Sequence, residues 1–257
     1  MELSQLYLFS GELILTMMTA LWVLSLILKN SSIVDIFWGT GFVLINLAAY
    51  YFSHHSLQQT VLTIIVTSWG LRLSIHIFLR NHGKPEDFRY AQWRRENGSR
   101  WLWISFFKVF LLQGILMLII ASPLLAVQTV ADGSSLLAAS VVGIAVWGIG
   151  FFFEVVSDYQ LARFKSDSQH QGKLLTRGLW RYSRHPNYFG DTMQWWGFYL
   201  LAFASGYWWT IYSPVIMTLL LLRVSGVTLL EKTMKTRPGY EDYIRTTHAF
   251  IPWIPSR

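Results

Sequence analysis

Cysteine is missing from this 257-residue chain. Its absence excludes a disulfide framework, a thiol nucleophile and a thiolate metal site. Charge is scarce as well. Charged residues make up 14% of the sequence while 53% is hydrophobic, and a soluble domain carries roughly 25% charged residues. That balance sets aside a soluble helical protein. Internal repeats and low-complexity tracts are lacking. The first apolar run has neither a basic n-region nor a small-residue cleavage site, so it reads as a retained span and not a signal peptide. No His/Asp/Glu set shows ligand spacing on one element, so no metal is expected.

Long apolar runs are what the chain has in quantity. A run of about 20 apolar residues crosses the hydrocarbon core. Seven runs are read here: Tyr7–Leu28, Ile33–Phe52, Val61–Leu79, Trp101–Val130, Leu136–Val156, Phe189–Ala204 and Trp208–Leu222. The last two are short and separated only by Ser205, Gly206 and Tyr207, the pattern of a hairpin that dips less deeply. The expected fold is all-α: one polytopic integral membrane domain, residues 1–257, with seven transmembrane helices.

Charge placement orients it. Lys and Arg crowd the segments after the third, fifth and seventh runs, and the segments after the second, fourth and sixth have none. An excess of Lys and Arg marks the cytoplasmic side, which places the N-terminus outside and the C-terminus in the cytoplasm. The net charge of +7 sits almost wholly in those loops, so topology accounts for it and no nucleic-acid partner is expected. Short loops and the lack of Cys suit a bacterial inner membrane.

Ionisable groups inside a span are costly and usually face the bundle interior or a polar cavity. Glu12 and Lys108 lie near span ends and can snorkel to water. Asp35, in "SIVDIFWGTGF", either caps a helix start or serves a site. Arg72, in "WGLRLSIHIF", is deeper, and a structural ion pair with Asp35 is the plain alternative. Glu154 and Asp158 are four residues apart and share one helix face. Their plain reading is a charged stripe meeting lipid headgroups. Arg223, at the end of the seventh run, is consistent with the positive-inside rule alone.

"GLWRYSRHPNYFGD", residues 178–191, is harder to explain by topology. Pro186 disfavours helix at His185 and tolerates a helix start at its own position. A helix from Asn187 carries Asp191 one turn on, on the same face. Arg177, Arg181 and Arg184 come just before that start, where basic groups and free backbone N–H groups suit a phosphate. Asn187 and Asp191 beside them could hydrogen-bond an amide or a ribose. The tail from Glu231 is too polar to span and too aromatic for disorder. Tyr240, Tyr243, Phe250 and Trp253 are expected to fold back over the loops and cover a ligand.

At these residues the chain resembles the membrane steroid and sterol reductase superfamily. The carriers are "RGLWRYSRHPNYFGDTMQWWG", "VVSDYQLARFK", "LLEKTMKTRPGYEDYIRTTHAFIPW" and, earlier, "VDIFWGTGF" and "WGLRLSIHIFLRNHGKPEDFRY". The resemblance runs from about Ile33 to Trp253. It implies NADPH bound by the later helices, about residues 132–257, and a lipid-substrate cavity enclosed by the earlier ones, about residues 1–131. Asn187 and Asp191 then hold the nicotinamide half, with Asp158 and Tyr182 as further contacts. Arg163, Lys165, Arg177, Arg184 and Arg223 are candidates for the phosphates, and Tyr188 and Trp195 wall the pocket.

The reaction implied is reduction of a carbon–carbon double bond conjugated to a ketone in a steroid-like or isoprenoid lipid. An acid must stabilise the carbonyl oxygen as charge builds on it. Asp35 is the only acid of the second span and takes that catalytic role. Trp38, Trp69 and Arg72 line the expected substrate cavity. The Tyr that assists in steroid 5-alpha-reductases has no counterpart in the matching third span, where Trp69 stands. Expected partners are the hydrophobic substrate and membrane lipids, with the chain as a monomer. Two other readings remain: an S-adenosylmethionine-dependent isoprenylcysteine-type methyltransferase, which shares an "RHPxY" core, and a transporter or lipid-binding scaffold.

Overall fold

The computed structural model describes residues 1–131, 138–224 and 226–255. The expected start of the fifth run, Leu136, and the first residues of the expected NADPH-binding half, 132–137, lie outside the described residues. Among the described residues there are twelve α-helices: α1 (Leu3–Leu28), α2 (Ile33–Tyr51), α3 (Leu57–Asn81), α4 (Phe88–Asn97), α5 (Trp101–Ser105), α6 (Leu112–Ile120), α7 (Ser122–Gln128), α8 (Ala138–Ser166), α9 (Pro186–Ala204), α10 (Tyr212–Leu219), α11 (Val227–Met234) and α12 (Tyr240–Thr246).

The chain is an all-helical, polytopic membrane protein. Among the described residues six helical stretches are long and apolar enough to cross a membrane: Leu3–Leu28, Ile33–Tyr51, Leu57–Asn81, Phe88–Ile120, Ala138–Ser166 and Trp208–Lys232. Seven were expected, and the sixth expected run makes the difference. It forms α9, a helix of 19 residues, but Asn187, Asp191, Thr192 and Gln194 make it too polar to count by composition. The seventh run is longer than expected, extending to Lys232. The fourth begins earlier, at Phe88, and joins its helices through 3-10 and π turns.

The chain divides into two compact units: Met1–Leu137 with Ser205–Tyr207, and Ala138–Ala204 with Trp208–Arg257. In the first, Phe42, Ile45, Leu62, Phe110 and Met117 are fully enclosed. A polar network also runs through its interior. Asn46 Nδ2 donates to Thr63 Oγ1, and Gln128 Nε2 reaches both Asn46 Oδ1 and Thr63 Oγ1, each at 3.1 Å. Helices end with unsatisfied carbonyls, and without water each would cost several kcal/mol. Gln59 answers this for α7: its Nε2 lies 3.0–3.3 Å from the carbonyls of Val127, Gln128 and Val130. The same side chain closes the capping box that starts α3, its Oε1 accepting from Ser56 N at 2.9 Å.

The second unit is organised by α8 and α9. Gly150 and Gly190 let the two backbones approach: a Cβ on either would sit 2.5 Å from the other's carbonyl oxygen. Close approach of small residues is how membrane helices gain packing energy without a hydrophobic driving force. The partners run in opposite directions along the two helices, Asp158 with Asn187 and Glu154 with Gln194, so α8 and α9 are antiparallel.

Candidate functional site

The seam between α8 and α9 buries both carboxylates of α8. Glu154 and Asp158 are 3% and 6% exposed, so the reading of a stripe meeting lipid headgroups gives way to one of interior groups. Gln194 Nε2 donates to Glu154 Oε2 at 2.7 Å. Asn187 Nδ2 donates to Asp158 Oδ1 at 3.1 Å. Each carboxylate is therefore held by a side-chain amide. Asp191 follows Asn187 by one turn and is also buried. The amide oxygen of Asn187 is enclosed and has no hydrogen-bond partner among the described residues. A buried acceptor left over after its own N–H has been used is rare enough to require a reason. A ligand carboxamide N–H is the right complement for it.

Helix geometry sorts the expected phosphate groups. Lys165 is seven residues, two turns, beyond Asp158 and shares its face of α8. Arg223 sits on a π turn, Leu220–Val224, and the adjoining Gly226 packs against Tyr188: a Cβ there would lie 3.1 Å from the Tyr188 ring. The structure thus brings Asp158 against Asn187, with Asp191 one turn further along α9, while Lys165 and Arg223 are exposed. Tyr188 stacks on His185, their rings 5.7 Å apart and 5° from parallel, and Trp195 is fully buried in α9.

Other expected members are placed elsewhere. Arg163 and Arg177 line a cleft of about 850 Å³ with Tyr159, Gln160 and His170; Gln160 and Arg163 project from the side of α8 opposite Asp158. Tyr182 lines a separate apolar groove with Phe153 and Trp253. Arg184 is 9% exposed and its donors are spent internally. Nε and Nη2 reach Glu231 Oε1 at 2.9 and 2.7 Å, and Nη1 reaches Thr247 O at 2.5 Å. Arg184 is therefore a clamp on the C-terminal segment, its donors turned to Glu231 and Thr247.

That clamp is shared. Ser183 Oγ donates to Phe250 O at 2.7 Å, Arg184 N to His248 O at 2.9 Å, and Tyr243 Oη to Trp180 O at 2.5 Å. The tail folds back as its aromatic content suggested, with one difference: Trp253 is held by its backbone, to Tyr182 O at 3.0 Å, while its side chain is 64% exposed. His185 lies inside the clamp, 3.4 Å from Glu231 Oε1. Burial pushes its imidazole down to about 4; Glu231 pulls the other way, and neighbouring Arg184 adds to the depression.

In the other unit Asp35 has a partner that sequence reasoning missed. Tyr90 Oη donates to Asp35 Oδ1 at 2.9 Å, and Gln113 Nε2 approaches the same hydroxyl at 3.3 Å. Arg89 Nη2 is 3.8 Å from Asp35 Oδ2, a cation that the sequence did not single out. Tyr90 is 5% exposed and the Asp35 side chain 23%. The start of α2 and the start of α4 are tied together to hold this pair. Glu86 accepts from Ser31 N at 2.6 Å and from Arg94 Nε and Nη2 at 3.0 and 2.8 Å. Asp87 N donates to Ser32 Oγ at 2.7 Å. Burial alone would raise the Asp87 carboxyl, but its hydrogen bonds from Arg89 win and hold it below the ordinary carboxylate range. Trp38, Phe42 and Trp69 meet in series, edge to face at 5.3 Å and tilted at 5.8 Å, with Trp69 fully enclosed in the core. Arg72 is half-buried on α3. No cluster of three or more metal-binding side chains occurs among the described residues.

Fold and site thus define a polytopic helical membrane protein with a buried carboxylate–amide seam in one unit and a Tyr–Asp pair in the other. The chain belongs to the family described as protein of unknown function DUF1295, which it matches over residues 21–247. An uncharacterised protein, C594.04c, of Schizosaccharomyces pombe is 25% identical over 224 residues, covering 75% of this chain and 64% of the relative. The 3-oxo-5-alpha-steroid 4-dehydrogenase 1 of Mus musculus is 28% identical over 112 residues, 44% of this chain and 41% of the relative. Its Rattus norvegicus counterpart is 29% identical over 116 residues, 44% and 40%. The chain spans less than two thirds of the length of each of these relatives. No solved structure matches it. The resemblance to the steroid reductase superfamily is borne out by the family match together with the distant similarity to these two enzymes.

Proposed function

We propose that the chain is an NADPH-dependent oxidoreductase that reduces a carbon–carbon double bond conjugated to a ketone in a steroid-like lipid, the 3-oxo-delta-4 class. The observation that carries this reading is the Tyr90–Asp35 hydrogen bond at 2.9 Å. Enone reduction builds negative charge on a carbonyl oxygen, and that oxygen needs a donor placed before the charge appears. A protonated Asp35 provides one: Tyr90 donates to one carboxyl oxygen, and the proton on the other oxygen is presented to the substrate. Gln113 leaves the Tyr90 hydroxyl directed at Asp35 by occupying its acceptor side.

The seam fits the other requirement. Asn187 offers an unpartnered amide oxygen and Asp158 and Asp191 offer acceptors beside it, a donor-seeking set suited to a carboxamide and ribose hydroxyls. Lys165 and Arg223 carry the positive charge for phosphates. NADPH, when bound, supplies the hydride; the protein holds it and excludes water. The similarity to the two rodent steroid dehydrogenases supports the same reading.

The topology that accompanies this proposal has α9 as a seventh crossing, the N-terminus outside and the basic loops and C-terminus in the cytoplasm of a bacterial inner membrane. Burial of Asp191, Thr192 and Gln194 supports it, because the polar groups of α9 are turned inward. With no native Cys, single cysteines placed at Ser53 and Lys84 report the two sides directly; labelling of both from one side would refute this topology. For the cofactor, thermal shift with NADPH and with S-adenosylmethionine decides. Stabilisation by NADPH that is lost in Asp191→Ala is expected, and stabilisation by the methyl donor alone would overturn the proposal in favour of a methyltransferase.

A further inference from the structure

The side of α8 opposite the seam has its own organisation. Val142, Ile149, Phe152, Val156, Tyr159 and Arg163 follow one another at spacings of seven, three, four, three and four, a single helical stripe. Its lower part is apolar and open: Val142, Ile149 and Phe152 are 54%, 51% and 54% exposed. Its upper end is the cleft of about 850 Å³, where Arg163 from α8 and Arg177 from the following loop share a wall with Gln160; the one carboxylate lining it, Asp167, lies 3.2 Å from His170 Nδ1. From Ile149 to Arg163 the helix rises about 21 Å, against about 15 Å for one leaflet of the hydrocarbon core. An apolar face one leaflet tall therefore ends in a pocket with two guanidinium groups.

A second cavity flanks the same loop. A groove of about 380 Å³ is lined by Phe153, Leu179, Tyr182, Pro252, Trp253 and Ile254. Leu179 is the residue whose N–H is fixed by Gln160 Oε1, at 3.0 Å, so one backbone segment separates the cationic cleft from the apolar groove. Trp253 and Ile254 are 64% and 75% exposed, and Trp and Tyr concentrate at the level of lipid headgroups.

We propose that this outer face of α8 holds an anionic phospholipid, its phosphodiester between Arg163 and Arg177 and an acyl chain along the apolar stripe and groove. Paired guanidiniums recognise phosphate oxygens with directional hydrogen bonds. A zwitterionic lipid would bring its own cation against them. This site lies across the helix from Asp158 and Asn187, so it is separate from the proposed cofactor site.

The test uses the full chain purified in mild detergent and exposed to equal amounts of phosphatidylglycerol and phosphatidylcholine of matched acyl chains. Native mass spectrometry should show one phosphatidylglycerol retained with a preference of about tenfold or more. Arg163→Gln/Arg177→Gln should bring the preference close to one, with its melting temperature in detergent and its NADPH affinity unchanged. A control pair at exposed cations of the same region, Lys173→Gln/Arg181→Gln, should keep the preference. Equal retention of the two lipids by the natural chain would overturn the proposal, as would a preference that survives in Arg163→Gln/Arg177→Gln. So would an equal loss in the control pair, which would reduce the effect to general surface charge. Full displacement by millimolar inorganic phosphate would assign a free-anion site instead. A fall in NADPH affinity in Arg163→Gln/Arg177→Gln would return the arginines to the cofactor.

Discussion

The carboxylates of α8 and the one at the start of α2 are treated differently by their surroundings. Glu154 and Asp158 are almost fully enclosed and are bonded by the amides of Gln194 and Asn187. Asp35 keeps some exposure and is bonded by the hydroxyl of Tyr90, with Arg89 close by. An amide partner has no proton to give up, so the seam can fix charges and present donors and acceptors to a ligand. A hydroxyl partner brings a transferable proton, so the Asp35 pair can take part in chemistry. Under the proposed function, the contrast gives binding to one unit and proton donation to the other.

The largest effect that would sharpen this contrast is at Tyr90. Tyr90→Phe removes the hydroxyl and keeps the ring, and turnover of an enone lipid should fall by about 10²–10³-fold with NADPH affinity unchanged. A smaller loss, comparable to that of a surface substitution, would break the assignment. Next comes the seam. Gln194→Leu leaves the Glu154 carboxylate buried without its amide donor and should cost about 3 kcal/mol of stability, read from denaturation in detergent. An unchanged melting temperature would mean that Gln194 does not carry that charge.

The smallest expected effect separates the seam from the clamp beneath it. The folded His185 titrates at about 4, below the roughly 6.5 of a free imidazole. A depressed folded value contributes stability that is fully present above about pH 6.5 and is lost as pH falls towards 4. The melting temperature should therefore drop by several degrees across that window, and His185→Asn should flatten the drop. A natural chain whose melting is level between those pH values would contradict the burial argument.

Much of this was readable in the sequence because membrane proteins write their constraints locally. The apolar runs gave six of the helical spans to within a few residues at most ends, and "RHPNYFGD" marked the start of α9 through Pro186. The pairing of Glu154 and Asp158 on one face followed from spacing alone. α9 drops out of a count by composition for a physical reason: composition sums all faces of a helix, and this helix turns its polar groups inward. Tyr90 was missed because it lies in a basic segment that topology already explained, 55 residues from Asp35, where no periodicity links them. The short break between Asn81 and Phe88 was the available signal, since it lets α4 turn back towards the start of α2. The clamp made by Arg184 was not legible because a cation beside a helix start looks the same in sequence whether it meets a phosphate or Glu231.

The division of labour between the two carboxylate sites is tested most directly by one crossed experiment. NADPH affinity and enone-dependent NADPH oxidation are measured together in the natural chain, in Asp191→Ala and in Tyr90→Phe. The account predicts that Asp191→Ala loses NADPH binding, while Tyr90→Phe binds NADPH normally and fails to turn over. Loss of the same parameter in both variants, or full oxidation by Tyr90→Phe, would contradict it.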